Sequence, residues 1–219
     1  MITTLLYSLF ALDQALSNLA AQHSWLMFAV LFVVIFAETG LVIFPLLPGD
    51  SLLFLAGTVC AASGVNIHAM VLTLFAAAAL GDSLNYAVGH YVGPIVFHRP
   101  QDTWLGRFLK PEYMERTHRF YEKYGGFTII IGRFVPIVRT FAPFLAGVGE
   151  MTYHKFLAYN LIGAAAWVGS LAYAGYLFGN IPWVKDNLAL IVLGIVIVSL
   201  IPITAQFIKE RRARARGER

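Results

Sequence analysis

No lysine or arginine precedes Arg99 in this 219-residue chain, although Asp13, Glu38, Asp50 and Asp82 all do. Charged residues are scarce throughout, 13% against 58% hydrophobic, and a mean hydropathy of +0.70 excludes an ordinary water-soluble domain. The lone Cys60 excludes an internal disulfide and any cysteine pair for a metal, and it is read as packing. His23, His68, His90, His98, His118 and His154 show no close pairing of the kind a metal-binding helix uses, so neither metal nor cofactor is expected. No nucleic-acid partner is expected either. The N-terminus lacks both a basic residue ahead of an apolar run and a clear small-residue cleavage site, so it does not read as a removed signal peptide.

What is present is apolar sequence in long stretches, around 24–63, 67–98, 127–149, 156–181 and 188–208. Several are long enough to cross a hydrocarbon core of ~30 Å. The expectation is an all-α membrane protein with one transmembrane domain over residues 1–219. Residues 1–23 read as an interfacial helix, with Leu5, Leu6, Leu9, Phe10 and Leu16 mostly on one face and Asp13, Gln14 and Ser17 elsewhere. A short first span is the alternative.

Positive charge arrives in two blocks: Arg99, Arg107, Lys110, Arg116, Arg119 and Lys123 in a loop over 99–126, and Lys209, Arg211, Arg212, Arg214, Arg216 and Arg219 in the tail 209–219. The positive-inside rule puts both in the cytoplasm. The tail also suits anionic headgroups. Within the loop, Glu112 with Arg116, Glu115 with Arg119 and His118 with Glu122 stand at i,i+4 spacing, the pattern of a short solvated helix.

Parity then constrains the rest. With the tail inside, the span 188–208 starts outside and the span 156–181 runs outward, leaving 150–155 inside. The segment 127–149 therefore has both ends on one face and reads as a re-entrant hairpin. Its sequence, FTIIIGRFVPIVRTFAPFLAGVG, agrees: Gly132, Pro136, Pro143 and Gly147 are expected to break a straight helix, and Arg133 and Arg139 are costly in lipid. Irregular backbone survives at membrane depth only when buried in protein or lining a wet cavity. The segment 25–63 repeats the theme with Glu38, Gly40, Pro45, Pro48, Gly49 and Asp50, and it enters from outside because the span 67–98 must end inside. Both broken segments close on one tetrapeptide, Phe54-Leu55-Ala56-Gly57 and Phe144-Leu145-Ala146-Gly147. Together these features suggest an inverted-topology repeat with two hairpins meeting at a transport site.

Glu38, Asp50, Arg133 and Arg139 each cost about 2.5–3.5 kcal/mol at a membrane-helix centre on insertion scales, so they must face one another, water or a ligand. The planar fork of arginine suits a phosphate, and carboxylates in a partly desolvated cavity suit proton uptake and release. The bland alternative is that the two acids pair with the two arginines to pin the hairpins together. Asp82 and Asn85, three apart on one face beside Tyr86, fit a structural role as well as a functional one. Small residues (Ala76 to Ala79, Gly81, Gly89 and Gly93 in one span; Gly163 to Ala166, Gly169 and Ala172 in the other) are assigned to close helix packing.

The motifs ETGLVIFPLLPGDSLL, GDSLNYAVG and GRFVPIVRTFAPFLAG, joined in this order, resemble those of the bacterial DedA family over about residues 25–205. The resemblance implies a multi-pass inner-membrane protein with two re-entrant hairpins and a cytoplasmic C-terminus. It further implies movement of polyprenyl phosphate, chiefly undecaprenyl phosphate, back across the membrane with proton coupling. Matched motif by motif, the family's essential acids fall on Glu38 and Asp50 and its essential arginines on Arg133 and Arg139; on the carrier reading the acids relay protons or gate, the arginines bind the phosphate, and Pro48, Gly49, Pro136, Thr140, Pro143, Asp82 and Asn85 support the hairpins and cavity. The expected partners are a membrane lipid and protons, with the state of assembly open, a homo-oligomer included.

Competing readings are a proton-coupled small-ion carrier, a general phospholipid scramblase and a structural assembly factor. A lipid phosphatase is disfavoured, because the hairpins hold no His, their one cysteine, Cys60, is read as packing, and Ser51 and Thr140 lack an evident triad-type base. The chain is therefore not expected to be an enzyme.

Overall fold

The computed structural model describes residues 24–41, 49–97, 126–179, 181–183 and 194. The expected interfacial helix 1–23, residues 42–48 with Pro48, nearly all of the expected basic loop 99–126, nearly all of the expected span 188–208 and the tail lie outside them. Every element among the described residues is a helix: α1 (Ser24–Gly40), α2 (Gly49–Ser63), α3 (Ile67–Phe97), α4 (Phe127–Gly132), α5 (Pro136–Val148) and α6 (Tyr153–Phe178).

Local chemistry sets the boundaries. Helix α2 opens on Gly49 with Asp50 in its first turn, where a negative charge favours the helix dipole. It closes on Gly64, whose φ of +72° is the left-handed backbone that ends helices most cheaply at glycine. Asn66 caps α3, its side-chain oxygen accepting the backbone N–H of His68 at 2.9 Å and of Ala69 at 3.2 Å. The segment 127–149 is interrupted once, between Gly132 and Pro136. Val135 there is extended, at φ −114° and ψ 110°, as the residue before a proline prefers, and Pro136 opens α5. Pro143 and Gly147, expected to break the helix too, lie within continuous α5. Pro143 removes only the N–H that would reach the Arg139 carbonyl. The expected span 156–181 begins earlier, at Tyr153, because Tyr153, His154 and Lys155 form its first turn.

Among the described residues, two stretches, Ile67–Val92 and Tyr153–Phe178, are long and apolar enough to cross a membrane. Large apolar side chains cover the exterior, and several charged and polar ones are buried. Val33, Leu72, Leu80, Phe127, Ile162 and Leu177 lie on the outside, while Glu38, Asp82, Asn85, Arg133, Arg139 and Asn160 are buried. An apolar exterior with the charged groups confined to the interior is what a lipid solvent demands.

Helix α3 is central, packed by α1, α5 and α6, while α2 packs mainly on α6. The main apolar core joins Met27, Leu31 and Ile35 of α1 with Leu53 and Val59 of α2, Met70 and Leu74 of α3, and Trp167 and Val168 of α6. The repeated tetrapeptides make matching contacts. In α2, Gly57 abuts the Ala172 carbonyl of α6, and Gly175 of α6 abuts the Phe54 carbonyl. In α5, Gly147 abuts the Tyr86 carbonyl of α3, and Gly89 of α3 abuts the Phe144 carbonyl. Each tetrapeptide thus crosses a long helix through a reciprocal pair of backbone contacts, and each lies against the helix of the other half. Gly169, assigned to packing by its sequence, has nothing within 4 Å of the position a Cβ would take.

Candidate functional site

Three breaks or ends deliver charge to the bundle interior. Glu38 sits two residues before the end of α1, Asp50 in the first turn of α2, and Arg133 in the break between α4 and α5. Arg139 and Thr140 follow on α5, Asp82 and Asn85 on α3, and Asn160 and Trp167 on α6.

The charges form two adjacent clusters. In the first, Arg139 donates through Nη2 to Glu38 Oε1 and through Nη1 to Asp50 Oδ1 at 2.8 Å. The same Glu38 oxygen accepts the backbone N–H of Gly49 at 3.2 Å, and the same Asp50 oxygen accepts the indole N–H of Trp167 at 2.8 Å. Side-chain exposure is 2% for Glu38 and 5% for Arg139 but 17% for Asp50, so this cluster has one partly open member.

The second cluster is sealed. Arg133 donates through Nη2 to Asp82 Oδ2 and to the Ala78 carbonyl at 3.4 Å, and through Nη1 to the carbonyl and side-chain oxygens of Asn160 at 3.0 and 2.9 Å. The Asn160 amide is itself tied to the Ala79 carbonyl at 3.0 Å. The Trp167 ring spans both clusters, its centroid 4.7 Å from the Arg139 guanidinium carbon and 5.7 Å from that of Arg133. At that range each cation gains from the ring face.

Asn85 joins the elements around the site, donating to the Thr140 carbonyl at 2.8 Å and the Thr39 carbonyl at 3.3 Å. Glu38 and Asp50 both pair with Arg139; Arg133 instead pairs with Asp82, which therefore belongs with the four charges first singled out. Gly49 contributes through its backbone, Pro136 opens α5, Pro143 lies inside it, and Pro48 is outside the described residues. Asn160 and Trp167 were not among the candidates. A lone asparagine in an apolar span carries a signal of its own cost. Trp167 follows it by seven residues, two helical turns, on the same face. Nothing in the sequence distinguishes Trp167 from an ordinary core aromatic.

Among the described residues, three carboxylates face two guanidiniums, one acid in excess. Glu38 Oε2, Ser51 Oγ, Asp82 Oδ1, Asn85 Oδ1 and Arg133 Nε are buried without a hydrogen-bond partner among the described residues. Such orphaned polar atoms are costly in a protein interior and concentrate where a site awaits a ligand, water or proton. Arginines on the interior side of a bundle, with acids as exchangeable partners, can bind an anion when the acids withdraw or take up protons.

Comparison with known proteins gives the same region. The VTT domain family matches residues 47–177, more than half of the chain. The DedA protein of Escherichia coli K12 is 48% identical over 208 residues, covering 94% of this chain and 93% of its own. An uncharacterized membrane protein of Mycobacterium tuberculosis is 43% identical over 186 residues, 84% of this chain and 80% of its own. The inner membrane protein YqjA of Escherichia coli K12 is 34% identical over 183 residues, 83% of this chain and 80% of its own. No solved structure matches. The apolar exterior, the buried charges and these similarities agree, and the chain belongs to the DedA family of VTT-domain membrane proteins.

Proposed function

We propose that this protein is a carrier, not an enzyme, that moves a lipid phosphate across the bacterial inner membrane, with a polyprenyl phosphate such as undecaprenyl phosphate as substrate and protons as the coupling ion. In this reading its C-terminus is cytoplasmic. The observation that carries it is Arg139, a buried guanidinium whose two partners are both carboxylates from the first broken segment. A phosphate offers Arg139 the same kind of acceptor, so exchange of carboxylate for headgroup leaves no bare charge. Protonation of Glu38 or Asp50 weakens the hold on Arg139, and the acid in excess supplies the proton site.

The two arginines then divide the work. Arg139 meets the phosphate, while Arg133, held through both terminal nitrogens by Asp82, Asn160 and Ala78, fixes α5 and α6 to α3. The test is translocation of undecaprenyl phosphate by purified protein in proteoliposomes under an imposed pH gradient. Wild type is expected to transport and Arg139→Gln, correctly folded, to fall by at least about a hundredfold, the loss of one charged hydrogen-bonding partner at about 2.7 kcal/mol or more. Unchanged transport by Arg139→Gln rejects that site. Ion flux without lipid movement in the wild type would favour the proton-coupled ion carrier, and movement of many uncharged-headgroup lipids the general scramblase.

A further inference from the structure

We propose that the Glu38 carboxylate sits in the headgroup site itself, as a tethered anion that the substrate phosphate must displace. The inference rests on the lipid-phosphate reading and names the groups that hold the headgroup. Glu38 Oε1 receives two donors from elements far apart in the chain, the Gly49 N–H at 3.2 Å and the Arg139 guanidinium. Gly49 is the first residue of the 15-residue α2, so its N–H is one of those a helix leaves without an internal acceptor. A helix N-terminus and a guanidinium converging on one oxygen form a donor set suited to a phosphate.

Two further observations point to the same place. Ser51, in the same first turn, is 3% exposed and its hydroxyl has no hydrogen-bond partner among the described residues. It is a spare donor in that turn, and a phosphate brings more oxygens to be met than a carboxylate. A Cβ on Gly49 would collide with the Glu38 carboxylate, so glycine is what lets an anion approach the start of α2 so closely. Asp50 uses the other Arg139 nitrogen and is held by the Trp167 N–H, so it can stay in place when Glu38 leaves.

Glu38 therefore competes with substrate, and the apparent affinity is the intrinsic one reduced by the fraction of time the site stands open. Removing the competitor tightens binding, whereas removing a merely structural residue loosens it. The experiment is calorimetric titration of the purified full-length protein in detergent with farnesyl phosphate, with farnesol and inorganic phosphate as parallel arms. Glu38→Gln is expected to bind farnesyl phosphate roughly tenfold more tightly than wild type, as removal of a competitor that holds the site nine-tenths of the time would produce. Glu38→Asp, whose shorter arm seats the carboxylate poorly, is expected to tighten binding less, and Arg139→Gln to abolish it. Equal or weaker binding by Glu38→Gln overturns the inference; should that variant not be recovered folded, Glu38→Asp is judged by the same criterion. Wild-type protein that binds no phosphate in any arm overturns the lipid-phosphate reading and the inference together. Inorganic phosphate bound as tightly as farnesyl phosphate, with the same gain in Glu38→Gln, supports displacement and moves the substrate from lipid to free anion.

Discussion

At the scale of single residues, the sealed cluster makes a prediction that separates support from transport. Asp82→Leu leaves Arg133 charged and unpaired inside the bundle, a loss of about 3–5 kcal/mol for a broken buried pair. Replacing both partners, Asp82→Leu with Arg133→Met, is expected to restore most of that stability, read as the midpoint of thermal unfolding in detergent. Asn160→Ala, which strips one acceptor from Arg133 and one donor from the Ala79 carbonyl, is expected to cost about 1–3 kcal/mol in the same assay while leaving phosphate affinity intact. The charges themselves were legible in the sequence, since each is too costly in lipid to be idle. Their pairing was not, because it depends on which faces of α1, α2, α3 and α5 meet. Asp82 lies 51 residues from Arg133, and Glu38 lies 101 from Arg139.

At the scale of helices, the crossings depend on missing side chains. Gly57→Val and Gly147→Val each push a side chain into a backbone carbonyl, of Ala172 and of Tyr86, that has no rotamer to yield. Each is expected to cost about 1–3 kcal/mol or more, the range for overpacking, and to lower the yield of folded protein on size-exclusion chromatography. Gly169→Ala, in open space within α6, is the control, expected to be neutral or to stabilise by up to about 1 kcal/mol. Glycine-rich helices advertised close approach in the sequence, but not which glycine makes it. The break at Gly132–Pro136 was legible for a similar reason, since proline starts a helix more readily than it continues one. Pro143 misled because a helix buried against a neighbour tolerates one lost hydrogen bond.

At the scale of the whole molecule, α2 packs on α6 and α5 on α3, so the second helix of each half is seated by the other half. The repeated tetrapeptide hinted at two related halves, yet this exchange is a property of three-dimensional packing and left no mark in the order of residues. It also bears on how the chain is made. Glu38, Asp50 and Asp82 are synthesised and offered to the bilayer before Arg133 and Arg139 exist. A nascent chain halted after α3 holds Glu38, Asp50 and Asp82 and no arginine to meet them, so its first helices cannot settle in lipid alone. Final seating of the first half waits on translation of the second, and the partner that shelters the early helices is the late part of the same polypeptide.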